Sequence, residues 1–307
     1  MHVSPVHLSG DPREGPPAQT SLAMPDGVGR RFVSTARLRT HLVEGGAGEP
    51  VLLLHGWPQH WQAWRKLIPL LSARHRLLCP DLRGFGWTDA PREGYDTASL
   101  VDDVLALLDA LELDRVLVIG HELGGRVGFH LCLRAPDRVR RLVTLNAIHP
   151  YWSLRRLAPH AWRYWWTVPV ETPLVGRTIL RRAPTFARWL FRLGGQPAHA
   201  ADPFLEPLRD PARARAAERI MTEFAYKEIV PTLLGRHRAT RLSVPTLMLN
   251  GTRDFALSPR ELGGHEAYAD DLRIELVPGA GHFLAEQQPD LVAAAALAHF
   301  DSPNRPP

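Results

Sequence analysis

Arg115-Val116-Leu117-Val118-Ile119-Gly120-His121-Glu122-Leu123-Gly124-Gly125 is the stretch on which the fold turns. The aliphatic run from Val116 to Ile119 reads as a buried strand, followed by a sharp turn and a helix. Its spacing (glycine, any residue, a central residue, any residue, glycine) is that of a nucleophile elbow. In such an elbow a strained strand-to-helix turn holds one side chain out at the end of a sheet. Glycines flank the centre because the backbones of strand and helix pass too close there for side chains. Serine usually occupies the centre; here it is Glu122. The same glycine spacing also occurs in ordinary tight turns, so its meaning depends on the surrounding chain.

Working outward, apolar strand-like runs alternate with helix-like stretches: 51–54 with 61–71, 75–79 with 99–111, 116–119 with 125–134, then 142–145. The alternation stops near 146 and resumes with 246–249, 259–268, 272–277 and 290–300. Two short strands are expected before it, around 31–34 and 37–43. Buried strands alternating with helices predict an α/β fold, a mostly parallel sheet with helices on both faces. The interruption is rich in arginine, tryptophan and proline and holds no convincing strand. It reads as a helical lid of about 147–240 inserted into one domain of 29–302. Residues 1–28 read as a flexible leader and 303–307 as a tail.

The chain has 307 residues, 45% of them hydrophobic, enough for a sizeable core in one large domain. Its net charge is +5, and almost all of the basic residues are arginine; Lys66 and Lys227 are the only lysines. No arginine cluster accompanies a recognisable nucleic-acid module, so a solvated surface is expected and no nucleic-acid partner. Cys79 and Cys132 lie in apolar runs, which suits buried thiols and gives no metal pattern. No apolar run reaches the roughly 20 residues of a membrane helix, and no signal peptide is recognisable. A cytoplasmic protein without a membrane or metal partner is expected. Nothing in the sequence sets an oligomeric state.

Three further segments complete a chemical pattern. His55-Gly56-Trp57-Pro58 follows the strand-like run 51–54, where backbone N–H groups can point at a developing negative charge. The donors there are the amides of Trp57 and of Leu123, the residue after the elbow's centre. Asn250-Gly251-Thr252-Arg253-Asp254 puts an acid just past a strand, and Gly279-Ala280-Gly281-His282 puts an imidazole past the next. The order nucleophile, acid, histidine gives Asp254 the task of orienting and charging His282.

With these segments in place the chain resembles the α/β-hydrolase superfamily over residues 31–300, and within it the epoxide hydrolase branch. The likeness rests on His55-Gly56-Trp57-Pro58-Gln59-His60-Trp61, Asp81-Leu82-Arg83-Gly84-Phe85-Gly86-Trp87-Thr88-Asp89, and Gly120-His121-Glu122-Leu123-Gly124-Gly125. That branch opens epoxides with an aspartate that forms an ester, which a histidine-activated water then hydrolyses. The resemblance implies Glu122 as nucleophile, His282 as base, Asp254 as its orienter, and no cofactor. It also implies two lid tyrosines that hydrogen-bond the ring oxygen. Tyr226 is one candidate. Trp165 stands at the expected position of the other, with Tyr164 and Trp166 beside it as alternative donors. The spacing of Trp162, Trp165 and Trp166 equally suits simple packing of the lid.

Glutamate adds one methylene to the family's aspartate, a reach of about 1.5 Å where about 1 Å costs on the order of a hundredfold. Three readings of Glu122 stand: a nucleophile in a site built to its length, a general base on water, or the mark of a decayed hydrolase that binds a small ligand. A serine hydrolase is excluded by the absent hydroxyl. Haloalkane dehalogenases resemble the chain less well, because many place a tryptophan where Leu123 stands. Of the fluoroacetate dehalogenases' two arginines, only Arg126 has a counterpart. The expected function is cofactor-free hydrolysis of an epoxide to a vicinal diol. The expected substrate is a small molecule, apolar or aromatic, to suit the tryptophan-rich lid.

Overall fold

The computed structural model describes residues 24–303. The expected leader lies almost wholly outside the described residues, and so does most of the expected tail. Eight strands form one sheet: β1 (Val28–Ser34), β2 (Arg39–Gly45), β3 (Glu49–Leu54), β4 (His75–Pro80), β5 (Val116–His121), β6 (Val139–Leu145), β7 (Thr246–Gly251) and β8 (Leu272–Val277). Their order is β1-β2-β4-β3-β5-β6-β7-β8. β2 pairs antiparallel with both β1 and β4, and every pairing from β4 through to β8 is parallel.

Strand periodicity divides the core into two layers. Leu52, Leu54, Val118, Leu142 and Met248 face one side of the sheet, packing with Val104, Leu108, Val127 and Leu131. Those partners come from α2 (Thr97–Ala110) and α3 (Leu123–Arg134). Val51, Leu53, Leu117, Ile119, Val143 and Leu247 face the other side, against α1 (Ile68–Leu71), α11 (Leu284–Gln287) and α12 (Pro289–Asp301). Successive residues of a strand point to opposite faces, so an unbroken aliphatic run is what a sheet covered on both sides requires.

Between β6 and β7 the chain leaves the sheet and forms a helical cap: α4 (Leu154–Leu157), α5 (Val168–Glu171), α6 (Val175–Arg182), α7 (Pro184–Leu193), α8 (Asp202–Leu205), α9 (Pro211–Glu223) and α10 (Ile229–Leu233). A π-helical turn, Phe224–Glu228, joins α9 to α10. Three boundaries differ from expectation. β1 begins at Val28, inside the expected leader. The stretch 61–71 is a 3-10 turn and one short helix, not a single helix. In 259–268 only a 3-10 turn, Pro259–Glu261, forms, because Gly263 and Gly264 follow and Gly264 sits at φ +97°, which ends a helix.

Candidate active site

The elbow lies where β5 meets α3, and its geometry explains its composition. Glu122 is held at φ 45°, ψ −105° as the residue capping α3, a conformation that a bulky L-residue adopts only when its surroundings impose it. A Cβ on Gly120 would come within 2.5 Å of the Gly124 carbonyl oxygen. One on Gly124 would collide with the carbonyl of Leu54, and one on Gly125 with Ala147. The flanking glycines are therefore a condition of the turn.

One carboxylate oxygen of Glu122 accepts the Trp57 amide at 2.7 Å. The expected donor loop after β3 thus reaches the elbow. Leu123 opens α3, where the first amides of a helix have no intrahelical partner, and it lines the same cavity. Asp254 follows β7, and its Oδ1 lies 3.0 Å from Nδ1 of His282. The amide of Ala256 donates to the same oxygen at 2.8 Å, and the side-chain amide of Asn146 donates to the other. Burial pushes the Asp254 carboxyl up, but His282 and these donors outweigh it and hold it below the usual carboxylate range. For His282, burial lowers the pKa, while the Asp254 charge, its hydrogen bond and the Glu122 charge together raise it above the ordinary value.

Behind His282 lies a second imidazole. His121 approaches the His282 carbonyl through Nε2 at 2.9 Å and Gln59 through Nδ1 at 3.1 Å. Burial and the neighbouring His282 press its pKa down to about 3, so it is neutral. The Gln59 atom at Nδ1 is Oε1; a neutral ring that donates from Nε2 has a lone pair on Nδ1, which calls for the Gln59 amide turned over so that its NH2 donates. This contact fixes the main chain at His282 without adding charge.

Glu122, Trp57, Leu123 and His282 open onto a cavity of about 180 Å³. A smaller one of about 50 Å³ is lined by several of the same residues. The wall is mostly apolar, with Ile148, Leu157, Ile220, Met221 and Phe224 among its residues. The expected lid donors separate. Trp166 is buried on this wall, and its indole N–H has no partner. Tyr164 also lines the cavity, but its hydroxyl donates to Glu261. Trp165 is 62% exposed and packs against Trp189, and Tyr226 is 68% exposed on the π-helical turn. Neither lines the cavity, so the expectation that they face the ring oxygen is corrected: the local winding of the lid turns both side chains to solvent.

The family described by the alpha/beta hydrolase fold matches residues 49–289. The chain belongs to the α/β-hydrolase superfamily. The chain is 44% identical over 110 residues to the soluble epoxide hydrolase of Corynebacterium sp. (strain C12), covering 36% of the chain and 38% of that protein. It is 43% identical over 117 residues to epoxide hydrolase 2 of Siraitia grosvenorii, covering 37% of each. The chain therefore matches under two fifths of the length of these two relatives. Haloalkane dehalogenase 2 of Mycobacterium tuberculosis is 31% identical over 88% of the chain and 94% of its own length. Among solved structures, a putative epoxide hydrolase from Pseudomonas aeruginosa superposes with a TM-score of 0.78 at 26% identity, over 91% of this chain and 98% of that one. The alignment to the dehalogenase is thus more than twice as long as those to the two epoxide hydrolases, although Leu123 holds the position where many haloalkane dehalogenases place tryptophan.

Four residues of the site escaped the sequence reading or were underrated by it. Asn146 stands at φ 48° just after β6 and braces Asp254; a polar residue directly after a strand that ends beside the elbow is a weak signal of this. Trp152 lines the cavity with an unpartnered indole N–H. Arg126 is buried on the wall with no ion pair among the described residues, its guanidinium 4.0 Å above the Phe224 ring. Burial lowers its pKa, against the charges of Glu228 and Glu122. Glu171, at the end of α5, brings a second carboxyl to the cavity. Among the described residues no cluster of three or more histidine, cysteine or carboxylate side chains is placed to hold a metal ion.

Proposed function

We propose that this hydrolase converts an organic epoxide to a vicinal diol through an ester on Glu122. The observation that carries the reading is the carboxylate at the elbow, one oxygen on the Trp57 amide, in a cavity shared with the His282–Asp254 pair. The free oxygen attacks a ring carbon, and the C–O bond of the ring breaks. The Trp57 and Leu123 amides then hold the oxyanion formed when water attacks the ester. His282, neutral at that moment, takes a proton from the water, and Asp254 stabilises the imidazolium. Trp166 and Trp152, which line the same cavity, supply hydrogen bonds to the opening oxygen in place of the tyrosines that the resemblance implies.

The cavity's size suits a substrate near that of a small aromatic, since a void of about 150 Å³ admits benzene. Arg126 adds to a mostly apolar wall a cation with no ion pair among the described residues. It favours a substrate whose far end carries an anionic or strongly accepting group, because an unpaired buried charge is costly. The two unpartnered indole N–H groups and the near full-length relation to a haloalkane dehalogenase favour a second reading, displacement of halide by the same carboxylate.

Single turnover in ¹⁸O-water tests the mechanism. An ester route places the label in Glu122, because water attacks the carboxyl carbon and the diol keeps the original carboxylate oxygen. Label appearing at once in the diol, with Glu122 unlabelled, would establish a general-base role instead. A panel of aryl and alkyl epoxides and haloalkanes that gives neither product nor adduct would leave a binding protein.

A further inference from the structure

Resting on the epoxide reading, we propose that Glu171 of the lid is the acid that protonates the ring oxygen as the epoxide opens. Ring opening creates an alkoxide, about as basic as hydroxide, so a hydrogen bond alone does not complete the step. The tyrosines that would serve are placed otherwise: Tyr226 lies outside the cavity, and the Tyr164 hydroxyl is committed to Glu261. The indoles of Trp152 and Trp166 donate hydrogen bonds but keep their protons. Glu171 lines the same cavity as Glu122, from the opposite component of the molecule, the lid. Two carboxyl groups in unlike surroundings, one ionised to attack and one protonated to donate, form a familiar division of labour.

The surroundings of Glu171 suit the protonated form. Burial raises its pKa, opposed by a hydrogen bond involving the Thr167 side chain. The Thr222 hydroxyl donates to the Glu171 backbone carbonyl and not to the carboxyl. The other titratable groups lining the cavity are Glu122, Arg126, Tyr164 and His282. On the helices packed against α5, Arg177 of α6 is paired with Glu218 of α9, and Arg219 and Lys227 both reach Glu223 of α9. Among the described residues no neutralising cation is paired with Glu171 itself.

The step balances without a further reagent. A lone pair of Glu122 forms the new C–O bond, and the ring C–O pair goes to the oxygen. That oxygen takes the Glu171 proton, leaving a hydroxyalkyl ester and a Glu171 carboxylate. Water then adds to the ester carbonyl as His282 takes its proton, and the departing diol oxygen receives that proton back. The Glu122 carboxylic acid so formed releases one proton, which restores Glu171 through solvent.

The test follows ester formation by intact-protein mass spectrometry in a His282→Gln background, with styrene oxide as the probe. Adding Glu171→Gln is expected to slow ester formation about a hundredfold. In the background protein the rate should fall as pH rises and Glu171 loses its proton. Glu171→Gln should remove that decline, and Glu171→Asp should restore part of the rate. An unchanged rate in Glu171→Gln overturns the proposal. So does the absence of an alkaline decline in the His282→Gln protein, a measurement that needs no change at Glu171. If His282→Gln forms no ester with styrene oxide or with the epoxide panel, the epoxide reading itself falls, and the role of Glu171 with it.

Discussion

A single methylene separates Glu122 from the aspartate of the family it resembles, and the Trp57 amide at 2.7 Å shows where that length goes. Shortening the side chain withdraws the carboxylate from this donor. Glu122→Asp is expected to keep measurable turnover but lose on the order of a hundredfold in kcat, and Glu122→Gln to form no ester, since an amide is a poor nucleophile. A gain by Glu122→Asp on the native substrate would mark the glutamate as a handicap. Asn146 offers a cleaner energetic test. Asn146→Gly keeps a residue at ease at φ 48° and removes the side-chain bonds to Asp254 and to the Gly281 carbonyl, a loss of about 1–3 kcal/mol in denaturant unfolding. Asn146→Ala adds backbone strain of roughly 1 kcal/mol and should be the less stable of the two. Glu122, Asp254, His282 and the Trp57 amide were readable because each follows a strand at a fixed offset. Asn146, Trp152 and Glu171 were not, because nothing in their neighbours announces which way they face.

At the level of elements, the sheet was legible and the lid was not. A strand buried on both faces needs an aliphatic run and tells its own length; short cap helices separated by prolines and 3-10 turns do not reveal their rotation. The π-helical turn Phe224–Glu228 is the clearest case, since one wider turn shifts the direction of every side chain in it. Tyr226→Phe is accordingly expected to leave turnover unchanged, whereas Trp166→Phe, which keeps the ring and deletes the N–H, should slow ester formation at least tenfold. Steady-state and single-turnover rates on the two variants decide between them. The β7 and β8 loops carry a pH signature of their own. His282 holds its proton above the ordinary value, so its contribution to stability is complete below about pH 6.5 and is lost as pH rises through its folded-state pKa. Water activation needs the neutral ring. Ester hydrolysis should therefore quicken over the same interval in which stability, relative to His282→Gln, declines; urea titrations and single-turnover rates across pH measure both.

On the scale of the whole molecule, the positive charge is dispersed. Arg177, Arg188 and Arg219 of the lid are each paired with a carboxylate of the same lid, Glu218, Asp202 and Glu223. No submicromolar affinity for duplex DNA is expected at physiological salt, and a steep salt dependence in a binding titration would contradict this. The architecture also separates two kinds of property. Glu122, the Trp57 amide, Asp254 and His282 all belong to loops of the sheet, while Trp152, Trp166, Glu171, Met221 and Phe224 come from one continuous stretch between β6 and β7. Those two strands are hydrogen-bonded neighbours, Leu145 beside Leu249. A single recombination event across that boundary would hand the same reactive carboxylate a different chamber. The protein is in this sense a chassis with an exchangeable head: the carboxylate and its histidine pair would stay with the sheet, while the walls and the proposed proton donor Glu171 would be exchanged together.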